Sequence, residues 1–156
     1  MKNKIWNIDG LPVRYKPEYK INPDIDFIEF NSNEEIINNF PQLKNIRLLD
    51  NMEFCFNYAL GISFKDLGCI EDSVGILFDT YKRIKFKEIQ KGDIVLFKDD
   101  FDYLHIGIIQ EKGIDINNTI IRAKFGQLGI YEHKLKDTPL SYGNRIIFWR
   151  KNKTTK

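Results

Sequence analysis

The spacing of apolar positions changes near Lys85, and that change organises the reading of the chain. Before it, the spacing is helical in two places and broken in a third. Ile36, Ile37 and Phe40 share one face behind Ser32, a good N-cap, with Glu35 three residues on to complete a capping box and Pro41 to stop the helix. Val74, Leu77, Phe78 and Tyr81 recur at threes and fours, which predicts an amphipathic helix over 71–84 with Gly75 as a weak point. Between them, Asn51 to Gly61 packs Phe54, Phe56, Tyr58, Ala59 and Leu60 around Cys55. Asp50 or Asn51 is placed to cap the start of this short buried helix, and Gly61 to cap its end.

After Lys85 the period is two. Ile94–Phe97, the stretch that opens at His105, Thr119–Phe125, Ile130–Leu135 and Arg145–Arg150 read as strands, punctuated by Lys91-Gly92-Asp93, Lys112-Gly113, Asn117-Asn118 and the glycines 126 and 129. Residues 1–31 carry Pro12, Pro17 and Pro23, with strand-like alternation in Val13–Tyr15 and Asp26–Phe30, and read as an arm laid across the domain. Helices followed by a meander give an α+β expectation: N-terminal helices packed on an antiparallel sheet of about five strands. One domain is expected, with residues 1–49 as its arm and first helix, 50–150 as its core and 151–156 as a disordered basic tail.

Charge narrows the function. Lys and Arg number 24 against 22 Asp and Glu, a net +2 spread along the chain, so a nucleic-acid stripe is not expected. The first lysines lead into no apolar stretch, and no run approaches membrane-spanning length; a cytoplasmic protein without a membrane partner is expected. Asp99, Asp100 and Asp102 read as a solvated loop, and Trp6 and Trp149 as core or arm-anchoring residues. Two cysteines, Cys55 and Cys69, imply no disulfide framework. With His105 and His133 they offer no compact ligand spacing, so neither a metal nor a cofactor is expected.

The remaining chemistry lies in Cys55 and His105. A thiol at the start of a helix meets unpaired N–H groups that favour the thiolate, and an imidazole at the head of an apolar strand can take the thiol proton. Each residue by itself reads as an ordinary core side chain; together they read as a nucleophile and its base, expected within about 4 Å of each other.

The order of these pieces, a Cys-bearing helix, then Lys-Gly-Asp-Ile-Val-Leu-Phe at 91–97, then a polar loop and His-Ile-Gly-Ile-Ile at 105–109, resembles the NlpC-type and CHAP-type branch of papain-like cysteine peptidases and amidases over residues 50–150. The resemblance implies a papain-like fold, Cys55 as nucleophile, His105 as general base, and a peptide or amide-containing substrate cleaved or transferred at an amide or thioester bond. It also implies a polar residue on the following strand to orient the imidazole. That strand here offers Arg122 and Lys124, cations unsuited to the task, and leaves Gln127, Asn117 and His133 as substitutes. An alternative follows from this departure: a catalytically idle domain that serves as a binding or accessory protein.

Overall fold

A computed structural model describes residues 18–26, 28–48, 54–62 and 70–153. Trp6, the Val13–Tyr15 stretch, Asp50, Asn51 and Cys69 lie outside the described residues. In chain order the elements are β1 (Tyr19–Lys20), α1 (Asn33–Asn39), β2 (Lys44–Arg47), α2 (Cys55–Leu60), α3 (Ile70–Thr80), β3 (Tyr81–Ile84), β4 (Ile94–Lys98), β5 (Tyr103–Glu111), β6 (Ile120–Lys124), β7 (Ile130–Lys134) and β8 (Arg145–Lys151). All strands join one antiparallel sheet, ordered β1-β8-β4-β5-β6-β7-β2, with β3 also on β8.

This is a correction to the α+β, papain-like expectation. Eight strands carry the fold, and the α-helices among the described residues are short, of seven, six and eleven residues. The three unexpected strands explain the difference. β1, β2 and β3 span two to four residues each and are only half buried, too brief and too polar to display a period of two. The helix expected over 71–84 ends at Thr80, where the Thr80 hydroxyl turns back to the Ile76 carbonyl at 2.7 Å. Tyr81 fits the helical spacing by coincidence and instead opens β3, paired with Lys151 on β8. The Asp26–Phe30 stretch is irregular where it is described.

Alternation along the central strands divides the core. Val95 and Phe97 of β4, Ile109 of β5, Ile121 and Ala123 of β6, and Ile146 and Phe148 of β8 pack on one face. Ile94, Leu96, Ile106, Ile147 and Trp149 face the other way and are covered by Cys55 and Phe56 of α2 and Leu77 of α3. The arm joins the same body: β1 extends the β8 side of the sheet and β2 the β7 side. α1 follows its sequence signals closely. Ser32 caps it by accepting the Glu35 N–H at 3.1 Å, and the Glu35 carboxylate reaches back to the Asn31 N–H at 3.3 Å.

Asp93 and Arg150 tie the first residues of β4 to the end of β8. Arg150 holds both carboxylate oxygens of the buried Asp93, at 2.9 and 2.7 Å, and donates to the Glu88 carbonyl at 2.7 Å. Among the described residues no helix is long and apolar enough to cross a membrane.

Phe148 is fully buried between Tyr19 and Phe86, ring centroids 5.6 and 6.0 Å away. Phe148→Ala is expected to cost about 3–5 kcal/mol, from lost burial and a cavity the sheet cannot close. The urea midpoint of the variant, with unchanged m-value, checks this.

Candidate active site at the opening between two central strands

The site begins with a ladder that stops. β5 and β6 pair Ile108 with Arg122 and Ile109 with Ile121. Continued toward the His105 end, this register would oppose Ile106 to Lys124 and His105 to Phe125, but the ladder does not extend that far. The N–H of Ile106 instead donates to the sulfur of Cys55, with lesser backbone contributions from Phe56 and Cys55 itself.

α2 is held in this opening by its own side chains. Phe54 stands at its N-cap with extended backbone. Asn57 spans the helix: its Oδ1 accepts the Phe54 N–H at 2.9 Å, and its Nδ2 donates to the Ile62 carbonyl at 3.1 Å. Gly61 ends the helix at φ 68, a left-handed conformation that glycine adopts without strain. Cys55 is therefore the first helical residue, but a helix of six residues contributes little dipole. Burial dominates its thiol and pushes the pKa up to about 12, against the N–H donors and Lys124, which favour the thiolate. Cys55 is a free thiol.

His105 is fully buried, and neither ring nitrogen has a hydrogen-bond partner among the described residues. The Cys55 sulfur and this imidazole, expected within about 4 Å of each other, share no hydrogen bond. Strand alternation accounts for it. Cys55 packs with Leu96 and Ile106, whereas His105 pairs with Phe97, which belongs to the opposite face. The fold brings the thiol to the backbone beside His105 and leaves the ring pointing into an aromatic stack. Tyr142 lies on the imidazole at 4.0 Å between centroids and 16° between planes, with Phe97 at 5.3 Å and Phe125 at 5.6 Å. Burial first, and His133 second, lower the His105 pKa to about 3, so the ring is neutral.

Gly107 permits the close approach beyond the opening, since a Cβ there would meet Ile121 Cδ1 at 3.0 Å and the Arg122 carbonyl at 3.1 Å. Gly143, at φ 93, does the same for Tyr142: a side chain at that position would run into the backbone of Lys98. Burial first, and then Cys55 and Glu29, raise the Tyr142 pKa. A groove of about 610 Å³ runs beside it, walled by Phe30, Phe54, Phe125 and Leu128, with Glu29 at its edge.

The three substitutes for an orienting residue separate clearly. Asn117 lies at the other end of β6, where its Oδ1 accepts the Asn22 N–H at 3.0 Å. Gln127 is exposed in the β6–β7 turn and lines the groove. His133 is buried near His105, but the Phe125 ring stands close to both, at 5.6 Å from each imidazole. Its Nδ1 lies 2.7 Å from the Lys134 carbonyl, and burial lowers its pKa to about 4. Beside the His105 ring, just past the end of the following strand, stands Phe125, an apolar residue with its ring centroid 5.6 Å away.

Compared with known proteins, the chain matches no family model, no curated protein and no solved structure. Three residues near this site have no role there that the sequence shows: Lys124, which reads only as a cation unsuited to orient the imidazole, Phe125, which reads only as a strand end, and Tyr142. The first two acquire meaning from the β5–β6 register, and Tyr142 from a tight turn ahead of β8, and neither leaves a periodic trace.

Both imidazoles are neutral when folded and ionise near 6.5 when unfolded, so the unfolded chain binds more protons at mildly acid pH. Their contribution to stability is complete above about pH 6.5 and is lost progressively as pH falls toward the folded values of about 4 and about 3. Urea midpoints between pH 7.5 and 4 check this. A His105→Phe, His133→Phe double variant should show a flatter acid decline.

Proposed function

We propose that the protein is a cysteine hydrolase or acyltransferase, with Cys55 as nucleophile and His105 as base, acting on an amide or thioester bond of a peptide or amide-containing substrate. One observation carries this reading: a thiol bonded by the Ile106 N–H stands one residue from a buried histidine whose two ring nitrogens are unused. A buried, unsatisfied imidazole costs stability, and such costs are characteristic of reacting groups. The neutral ring is the form that accepts a proton, and the reaction requires it to leave its stack on Tyr142 and turn toward the sulfur.

In that reaction the Cys55 S–H bond breaks and its proton passes to the imidazole. The sulfur attacks the carbonyl carbon, and the carbonyl oxygen becomes an oxyanion near backbone N–H donors. His105 returns the proton to the leaving amine or thiolate, and water or another acceptor then releases the acyl group from sulfur. The aromatic groove beside Tyr142 is where the acyl portion would lie. An unbridged Cys55 suits the reducing cytoplasm.

A second reading, a binding domain without turnover, is favoured by Phe125, an apolar ring beside the imidazole where a polar orienting group would help. Mass spectrometry of the protein after exposure to an activated thioester separates the two. The hydrolase reading expects an acyl adduct on Cys55, absent in Cys55→Ala, and turnover reduced about 10²–10⁴-fold in folded His105→Ala. Absence of any adduct on Cys55 under conditions that acylate free cysteine would leave the binding reading.

A further inference from the structure

The His105 ring is fully buried with both nitrogens unpartnered among the described residues, so packing and not hydrogen bonding fixes its position. Tyr142 supplies the closest packing. Its ring lies flat on the imidazole, 4.0 Å between centroids and 16° between planes, nearer and more nearly parallel than Phe97 or Phe125. Phe125 is stacked in turn on Tyr142, at 5.8 Å and 14°. Stacked rings of this kind hold one another in place beyond what their burial alone provides.

Tyr142 is itself anchored. It ends a short turn, Leu140–Tyr142, in which the Leu140 N–H donates to the Ile25 carbonyl at 3.0 Å and the Ser141 hydroxyl to the Ile28 carbonyl at 2.7 Å. Gly143 follows at φ 93, where a side chain would run into the Lys98 backbone. Two tethers to the arm and one close approach to β4 therefore set the tyrosine on the imidazole. Toward β6 nothing comparable restrains the ring. The ladder ends at Ile108 and Arg122, so no paired backbone closes the sheet between His105 and β6.

We propose that Tyr142 is a positioning residue that holds the His105 ring in reserve, and that the Leu140–Tyr142 turn is a lid whose release lets the imidazole reach the Cys55 sulfur. The inference rests on Cys55 and His105 being the reacting pair. Tyr142 and Phe125 also wall the groove of about 610 Å³, so an acyl group seated there bears on the same rings that restrain the imidazole.

A released imidazole takes the proton of the Cys55 S–H, and the thiolate left behind displaces iodide from iodoacetamide as the S–C bond forms. The measurement is the iodoacetamide rate of Cys55 at neutral pH in a Cys69→Ser background, with thermal melting followed in parallel. Tyr142→Ala should raise the rate about tenfold or more, and adding His105→Phe should remove the gain. Tyr142→Phe, which keeps a ring on the imidazole, should react like the parent. A turn that merely covered Cys55 would expose the thiol whether or not a histidine stood at position 105. An unchanged or slower reaction in Tyr142→Ala, or a gain of equal size in the double variant, overturns the proposal.

Should Tyr142→Ala not fold, Ser141→Ala decides, since it removes one tether of the turn and no ring. It should raise the rate about two- to tenfold, the contribution of one hydrogen bond, and only while His105 is present. A rate equal to the parent's, or a gain retained in His105→Phe, overturns the proposal. The two proposals fail separately. Acyl transfer at Cys55 with alkylation indifferent to Tyr142 and Ser141 removes the lid and leaves the hydrolase. A His105-dependent gain in alkylation without any acyl adduct removes the hydrolase and leaves the lid.

Discussion

The point on which the site depends is the end of the β5–β6 ladder at Ile108 and Arg122. One pair further, the two strands would satisfy each other's backbone groups, as buried backbone groups must be satisfied somewhere. Because they part, the Ile106 N–H is available to the Cys55 sulfur, and a short helix wedges its first residue into the gap. Lys124, past the last β5–β6 pair, stands opposite Ile130 of β7. A single interruption of pairing thus brings a thiol to the backbone beside a histidine.

Around that opening the side chains divide by the two-residue alternation of the strands. The sulfur lies with the helix-covered face; imidazole, Phe125 and Tyr142 lie with the other. Dry surroundings hold the thiol and the imidazole neutral, with the thiol near 12 and the imidazole near 3. Burial is the largest cause for each.

Much of the local structure was legible in the residues. The capping box at Ser32 and Glu35, the glycine stop at Gly61, and the strands around Ile94, His105 and Arg145 all appear where their patterns place them. These signals act within a few residues, through caps, φ preferences and alternating burial, so the chain carries them openly. The architecture was not legible in the same way. β1, β2 and β3 are fixed by hydrogen bonds to β8 and β7, strands far away in sequence, and Tyr81 satisfied a helical period while belonging to a strand. An α+β reading followed from counting only the strands long enough to show a period.

The same division runs through the site. Sequence by itself singled out Cys55 and His105, because a thiol among aromatics before a helix stop and a histidine opening an apolar strand are local features. It also gave both residues their elements. Which face each side chain takes, and what stands across from it, depends on inter-strand register, and register joins residues that share no local pattern. Tertiary structure therefore decided that His105 faces Phe125 and Tyr142 rather than the thiol, that Asn117 lies at the far end of its strand, and that Lys124 is buried. A shift of one residue in the β5–β6 pairing would have exchanged the faces, with no change in the sequence signals of either strand.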